Sequence, residues 1–194
     1  MKKGRMNPPS LKELWRTQER GMKKDKPKHS VSEAGANESR PPTVHDLVGL
    51  CRRLNEADAK YIVIGGMAVV QHGFVRATED IDLIVDASAA NQDRVRSALM
   101  ELPDGAVRDM KPDDLDAYMV VRVADEIVVD LMKSANGIEY AEASASIEWA
   151  EIQGVRIPFA DLKLLWRLKQ TVREKDALDR LFLKEKLKTG AQDS

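Results

Sequence analysis

The spacing of hydrophobic residues from Thr43 onward alternates between helical and strand periods. Apolar residues that recur every three or four positions predict a helix capped by Thr43. Its buried stripe is expected to consist of Val44, Leu47, Val48, Cys51 and Leu54. Because Cys51 belongs to that stripe, we expect it to fill the core rather than to act as a nucleophile.

Farther along the chain, short runs rich in β-branched residues alternate with amphipathic segments. Strands are expected at 61–64, 81–85, 117–123, 127–132, 147–152 and 155–159. Helices are expected at 67–72, 87–102 and 161–188, the last with a break near Arg173. The last four strands form two antiparallel hairpins. This order of elements predicts an α/β (α+β) fold, a small sheet flanked by helices with further helices at the C-terminal end.

Charge is unevenly distributed along the chain. The 194 residues include 31 Lys and Arg against 32 Asp and Glu, a net charge of −1. Residues 1–42 carry 11 basic and 5 acidic side chains, whereas the other 152 residues carry 20 and 27. The prolines and few apolar residues of 1–42 predict a basic, largely disordered N-terminal extension. Residues 43–188 have the size of one domain, and 189–194 form a tail.

The extension contains one local pattern. Ser10 and Glu13 have the spacing of a capping box ahead of Leu14 and Trp15, which indicates a short helix. Two roles for the extension stay open. Its basic charge suits contact with RNA or another polyanion, but its composition favours a solvated extension without a partner.

Hydropathy argues against a membrane-spanning protein, and cysteine content argues against a protein stabilised by disulfides or by a Cys-based zinc site. The longest nearly apolar run, 61–70, is about half of the roughly 20 residues that cross a bilayer. No apolar segment follows the basic start of the chain, which argues against a secretory signal. Cys51 is the only cysteine, so no internal disulfide can form and a Cys-based zinc site is not expected. We therefore expect a cytoplasmic protein without membrane contact.

One segment contains paired glycines and paired carboxylates. Asp80 and Asp82 flank Ile81, so at the period of a strand both carboxylates leave the same face of the sheet. Their repulsion calls for a cation, and Mg²⁺ prefers carboxylates together with phosphate oxygens and water. Gly65 and Gly66 stand where a strand gives way to a helix, so a phosphate can approach the backbone N–H groups there.

Asp130 is the third candidate acid. It stands out because it interrupts a run of strongly β-forming residues at 127–132. A buried carboxylate needs a partner. If this strand lies beside the strand of Asp80 and Asp82, the three acids complete a two-metal site of the kind that stabilises a triphosphate and a leaving pyrophosphate. Asp130 is also a candidate to deprotonate an incoming hydroxyl group.

The last predicted helix carries basic residues. Lys169 falls on its apolar stripe, so the ammonium group must either reach solvent or meet an anion. Further charges follow within about one turn: Arg173, Glu174, Lys175, Asp176 and Asp179. In an otherwise acidic body, this basic cluster is the expected place for a triphosphate.

Together these motifs resemble the signature of the DNA polymerase β-like nucleotidyltransferase superfamily. The resemblance rests on Gly65-Gly66, on Arg76-Ala77-Thr78-Glu79-Asp80-Ile81-Asp82 and on Val129-Asp130-Leu131. The chain is similar in particular to minimal bacterial enzymes of the AbiEii (abortive-infection toxin) type, since Lys169 and Arg173-x-Lys175-Asp176-x-x-Asp179 are similar to the late motifs of those toxins. The resemblance covers about residues 43–188. Many members have Gly-Ser in place of Gly-Gly, so one phosphate-holding hydroxyl is absent here.

The resemblance implies a mixed nucleotidyltransferase sheet and a role for each residue. The metal ligands, for Mg²⁺ or Mn²⁺, would be Asp80, Asp82 and Asp130, which are also the catalytic acids. The nucleotide would be bound by Gly65, Gly66, Arg76, Thr78, Lys169 and Arg173, with support from Lys175, Asp176 and Asp179. The implied reaction moves a nucleoside monophosphate from ATP or another NTP to a hydroxyl group on RNA or protein and releases pyrophosphate. The implied context is the toxin of a toxin–antitoxin pair, with an antitoxin as partner.

Two alternatives stay open. The first is a non-catalytic nucleotide-binding or antitoxin-like protein on the same fold, although an intact set of three acids argues against it. The second is a nucleotide-sugar glycosyltransferase, in which Asp-x-Asp also binds a metal but in which the chains are usually longer.

Overall fold

The computed structural model describes residues 39–190, apart from the side chain of Lys175. Most of the expected extension at 1–42, including the short helix near Leu14, lies outside the described residues, as do residues 191–194 of the expected tail.

The described chain forms one six-stranded mixed sheet and a separate two-stranded ribbon. In chain order the strands are β1 (Tyr61–Val63), β2 (Asp80–Val85), β3 (Val121–Ala124), β4 (Val128–Met132), β5 (Ser134–Ala135), β6 (Ile138–Glu139), β7 (Ile147–Ile152) and β8 (Val155–Ala160). The order across the main sheet is β3-β4-β2-β1-β8-β7, and β5 pairs with β6. Strand β2 is parallel to β4 and β1 is parallel to β8, whereas the other neighbours are antiparallel.

Seven α-helices of the described residues flank the sheet. They are α1 (Val44–Glu56), α2 (Gly65–Gln71), α3 (Ala89–Leu99), α4 (Asp114–Ala117), α5 (Tyr140–Ala143), α6 (Leu162–Leu168) and α7 (Glu174–Gly190). The expected α/β class, a small mixed sheet flanked by helices with helices at the C-terminal end, is confirmed. Within residues 39–190, no helix has the length and apolar character needed to span a membrane.

Thr43 caps helix α1, as the sequence predicts, and the structure shows a full capping box with Asp46. The backbone N–H of Asp46 donates to Thr43 Oγ1, and the backbone N–H of Thr43 donates to Asp46 Oδ2 at 2.7 Å. These two hydrogen bonds give partners to N–H groups that have none within the helix. The predicted stripe packs into the core, where Cys51 is fully buried. Burial raises the pKa of the Cys51 thiol to about 12, so the thiol stays protonated at neutral pH.

One core joins the sheet and the helices. Both the helices and the sheet supply its fully buried side chains, and the largest of these include Leu47, Leu54, Ile62, Leu83, Leu131 and Phe159. Because β1, β2 and β4 are covered on both faces, their sequences are almost continuously apolar, and the exceptions stand out. These exceptions are the acids Asp80, Asp82 and Asp130.

The end of the predicted extension is attached to the domain. The backbone N–H of Arg40 donates to Glu126 O at 2.9 Å, and the guanidinium of Arg40 makes a two-pronged contact with Asp46 at 2.7 and 2.8 Å. Ser39 Oγ donates to Asp125 O at 2.6 Å. These contacts fix residues 39–42 beside the turn that joins β3 to β4.

Several element boundaries differ from the sequence-based expectation. The strand expected at 117–123 begins only at Val121: Ala117 ends the short helix α4, and residues 118–120 belong to neither a helix nor a strand. The helix expected at 87–102 spans Ala89–Leu99. The expected break of the C-terminal helix near Arg173 is confirmed, because residues 169–173 separate α6 from α7. Both hairpins are confirmed in their antiparallel pairing.

Candidate active site

The register of strands β2 and β4 brings three acids together. These parallel strands pair Asp82 with Asp130, and Asp80 lies two residues before Asp82 on the same face. One carboxylate oxygen from each of the three residues lies within 4.8 Å of the other two. The expectation that Asp130 joins Asp80 and Asp82 is therefore confirmed as a matter of geometry.

The chemistry of this donor set fits a divalent cation. Hard cations such as Mg²⁺ and Mn²⁺ take oxygen ligands, and carboxylates supply the negative charge that offsets their dehydration. Asp80 and Asp82 are partly exposed and Asp130 is buried, so the cluster is open on one side. An open side leaves room for water or substrate oxygens in the remaining coordination positions.

Arg122 is the part of the site that the sequence reading missed. It lies on β3 directly opposite Asp130, and its Nε and Nη2 donate to the two Asp130 carboxylate oxygens at 2.9 and 2.7 Å. The same Nη2 lies 3.7 Å from Asp80 Oδ2. The hydrogen bond with Asp130 raises the pKa of Arg122 above its ordinary value, and the charges of Asp130, Asp80 and Asp82 act in the same direction.

A cleft opens beside Asp80, the first of the three acids. Its volume is about 520 Å³, within the range of small-molecule sites. Its lining residues are Ser39, Pro41, Glu79, Asp80, Arg122 and Val128. The cleft wall is thus formed by the start of β2, by Arg122 of β3 and by residues 39–41, which are attached beside the β3–β4 turn.

The glycine pair allows close packing against this site. Gly65 has a φ of +62°, and a methyl group added there would lie 1.8 Å from Asp82 Oδ2. A methyl group on Gly66 would lie 2.3 Å from Thr78 Oγ1 and 3.1 Å from Arg76 Nη2. Side chains of the site therefore occupy the space that the glycines leave, and the backbone at the start of α2 lies directly against Asp82.

Thr78 and Arg76 hold the loop that precedes β2. Thr78 is buried, and its hydroxyl donates to Asp80 O at 3.1 Å. Arg76 Nη1 donates to Ala77 O at 2.8 Å, and Arg76 Nη2 donates to Asp179 Oδ2 at 3.1 Å. These contacts fix the backbone that leads into the first carboxylate of the cluster.

A second, buried charge cluster lies where α6 and α7 meet this loop. Lys169 Nζ lies 2.8 Å from Asp176 Oδ1 and 3.0 Å from Asp179 Oδ2, and Arg76 Nε lies 3.0 Å from Asp179 Oδ1. Thr171 Oγ1 donates to Asp176 Oδ2. Asp176 and Asp179 are buried, so each of their charges depends on these partners.

The partners of Asp176 stabilise its charged form. Burial by itself would raise the pKa of Asp176, but hydrogen bonds from Lys169 and Thr171, together with the charges of Lys169 and Arg173, hold it below its usual value. From the sequence, the ammonium group of Lys169 is expected either to reach solvent or to meet an anion. The structure shows the second outcome, and the anions are Asp176 and Asp179 of the same chain.

The remaining predicted site residues lie at the start of α7. Arg173 is exposed and its backbone N–H donates to Thr171 Oγ1 at 3.2 Å, whereas Lys175 is placed only as part of the helix backbone. Phe74 and Phe182 stack with ring centroids 4.9 Å apart and help to attach α7 to the loop before β2. The predicted residues thus form two groups, the three acids and the α6–α7 cluster. Arg76 and Thr78 lie between these groups.

Comparisons with known proteins add little to this geometry. The chain matches no model of a protein family and no curated protein. Among solved structures it is similar to a protein described as a "putative nucleotidyltransferase" from Thermotoga maritima, with 15% sequence identity and a TM-score of 0.46. The match covers 78% of this chain and 93% of that chain. A similarity of this size carries no argument about activity, so the functional assignment depends on the site itself.

Replacement of Gly65 tests the close approach to Asp82. Gly65→Ala combines a left-handed φ with a clash, so we expect a loss of about 1 kcal/mol from strain and about 1–3 kcal/mol more from overpacking, measured by denaturant unfolding. Gly137→Ala is the matched control, since Gly137 has a φ of +77° but no atom within 4 Å of the added carbon. Equal losses in the two variants would contradict the proposed packing against Asp82.

Replacement of Asp176 tests the buried cluster through its pH dependence. Asp176→Asn leaves Lys169 short of one partner, so we expect a loss of about 2–4 kcal/mol at pH 7. Because the folded-state pKa is lowered, the wild-type advantage exists above about pH 4 and disappears as the pH falls through the folded-state value. Unfolding curves from pH 7 to pH 3 measure this.

The matched control for Asp176→Asn is Asp116→Asn, which removes an exposed partner of Lys133. It should change stability by less than about 0.5 kcal/mol at every pH. A constant difference between wild type and Asp176→Asn across the pH range would show that the charge of Asp176 has no stabilising role.

Proposed function

We propose that this protein is a metal-dependent nucleotidyltransferase that transfers a nucleoside monophosphate from an NTP to a hydroxyl acceptor. One observation carries the proposal: Asp80, Asp82 and Asp130, from two parallel strands, converge within 4.8 Å beside an open cleft. The resemblance to the polymerase β-like superfamily supports it, because that superfamily uses three carboxylates in this chain order.

In the proposed reaction, the oxygen of the acceptor hydroxyl bonds to the α-phosphorus of the NTP. The bond from that phosphorus to the oxygen leading to the β-phosphate breaks, and both of its electrons leave with pyrophosphate. The hydroxyl proton passes to a base. Divalent cations bound by the three carboxylates would neutralise phosphate charge and lower the barrier to attack.

Asp130 is the proposed proton acceptor. Its carboxylate is buried, which limits competition from bulk water. In the described structure Arg122 contacts both of its oxygens. Release of either contact would open one more lone pair of Asp130 to a proton or a cation.

The nucleotide is proposed to bind along the glycine pair and the loop before β2. Gly65 and Gly66 expose backbone at the start of α2, and Arg76 and Thr78 hold the adjoining loop in place. Arg173, exposed at the start of α7, is free to reach a phosphate from outside the buried cluster. Lys169 is nearly enclosed by Asp176 and Asp179, so its contribution to nucleotide binding would require rearrangement of these ion pairs.

The resemblance suggests an acceptor and a biological setting. We propose an RNA or protein hydroxyl as acceptor and a toxin role with an antitoxin partner. The basic character of residues 1–42 supports an RNA acceptor, because a net positive segment offsets the repulsion between a polyanion and an acidic domain.

The decisive experiment measures pyrophosphate release and label transfer. We expect the wild-type protein with Mg²⁺, each α-labelled NTP and a cell extract to label an RNA or a protein band. The double variant Asp80→Asn/Asp82→Asn should lower the rate by at least about 10³-fold, because it removes the charge that binds the cations.

The control for this experiment is Asp93→Asn/Asp109→Asn, a double replacement of acids that belong to neither charge cluster. It should retain the wild-type rate. Equal labelling by wild type and the Asp80/Asp82 variant would refute the assigned roles, and nucleotide binding without pyrophosphate release would favour the non-catalytic alternative.

A further inference from the structure

The cation that now satisfies the three-acid cluster is a side chain of this protein. Arg122 makes two hydrogen bonds with Asp130 and an ion pair with Asp80, and the charge of Asp82 acts on it as well. Like charges at such separations repel strongly unless a cation lies near them. In the described residues, Arg122 supplies that cation.

The position of Arg122 is well suited to reversible contact. It belongs to β3, the edge strand of the sheet, and its side chain is 60% exposed although the Asp130 side chain is only 8% exposed. Arg76, which binds the buried acid Asp179, is only 23% exposed. Water can therefore rehydrate the Arg122 guanidinium without exposure of the core, which lowers the cost of breaking the pair.

Both oxygens of Asp130 accept hydrogen bonds from Arg122. This contact uses one lone pair on each oxygen and holds a positive charge beside the atoms that a cation would bind, so the guanidinium and the cation repel each other there. The exposed guanidinium also lines the cleft of about 520 Å³ beside Asp80 and Glu79. A released Arg122 thus stays within the cleft wall.

We propose that Arg122 is an internal counter-ion that competes with the divalent cation for Asp130, so that metal loading displaces its guanidinium toward the substrate cleft. This inference rests on the proposed function, because it assumes that the three acids bind a divalent cation. Arg122 is then a positioning residue: it keeps the metal-free cluster ordered, and its contact with Asp130 ends when the cation arrives.

Metal affinity tests the competition directly. The dissociation constant for Mn²⁺ is measured by electron paramagnetic resonance on the full chain, without nucleotide. Arg122→Gln should bind Mn²⁺ about tenfold more tightly than wild type, since the competing charge is gone. The matched control, Arg53→Gln, removes an exposed arginine paired with Glu101 and should leave the constant unchanged.

A second measurement tests whether the metal ion displaces the Arg122 guanidinium. The substitution alone cannot show this, because it also removes a positive charge. A guanidinium held in a two-pronged contact gives side-chain N–H signals in NMR that slow exchange and restricted rotation make visible. We expect the Arg122 signals, assigned from Arg122→Gln, to broaden or shift toward those of free arginine as Mg²⁺ is added. The signals of Arg76 should persist, because its partner Asp179 is fully buried.

The outcomes distinguish this inference from the proposed function. If wild type and Arg122→Gln bind Mn²⁺ equally well, or if Arg122 signals stay unchanged at saturating Mg²⁺, the displacement is refuted but the metal site stands. If neither protein binds Mn²⁺, both the displacement and the proposed metal-dependent function fail.

Discussion

The mutual repulsion of three carboxylates is the constraint on which the rest of this structure depends. Two unit charges about 4 Å apart near a protein surface repel by about 4 kcal/mol. The parallel pairing of β2 with β4 nevertheless places Asp82 beside Asp130, and the strand period adds Asp80 to the same face. Arg122 offsets part of this repulsion through its contacts with Asp130 and Asp80, and the set of carboxylate oxygens also fits a divalent cation.

The surrounding structure fixes these acids from two sides. On one side, the left-handed backbone of Gly65 lies against Asp82, where no side chain could be accommodated. On the other side, Thr78 and Arg76 connect the start of β2 to the buried acid Asp179 of α7. The C-terminal helices therefore contribute to the site by holding the loop before β2, and the charges of Lys169 and Asp176 stabilise that attachment.

Much of this organisation follows from local sequence patterns. The capping residue Thr43, the apolar stripe of α1 and the β-forming runs at 147–152 and 155–159 each carry enough local information to place an element. Asp80 and Asp82 share a face because the strand period is two, and Asp130 is conspicuous as a charge in a β-forming run. The strand prediction extends too far at 117–120, because the apolar residues Tyr118, Met119 and Val120 resemble a strand although they are exposed and follow α4 directly.

The missed features depend on pairings between distant residues. Arg122 lies opposite Asp130 only because of the register of the hairpin, and an arginine on an edge strand has no distinctive local pattern. The ion pairs of Lys169 with Asp176 and Asp179 likewise require the angle between α6 and α7, which the interruption from 169 to 173 sets. The basic and acidic side chains of the Lys169–Asp179 segment thus pair with each other, although the same residues could also be read as ligand-binding groups.

Anomalous X-ray diffraction from crystals soaked in Mn²⁺ tests the central claim most directly. The account predicts a strong anomalous peak in contact with carboxylate oxygens of Asp80, Asp82 and Asp130, and no such peak in crystals of an Asp82→Asn variant. Mn²⁺ bound elsewhere, with Asp130 still held by Arg122 at saturating metal, would contradict it.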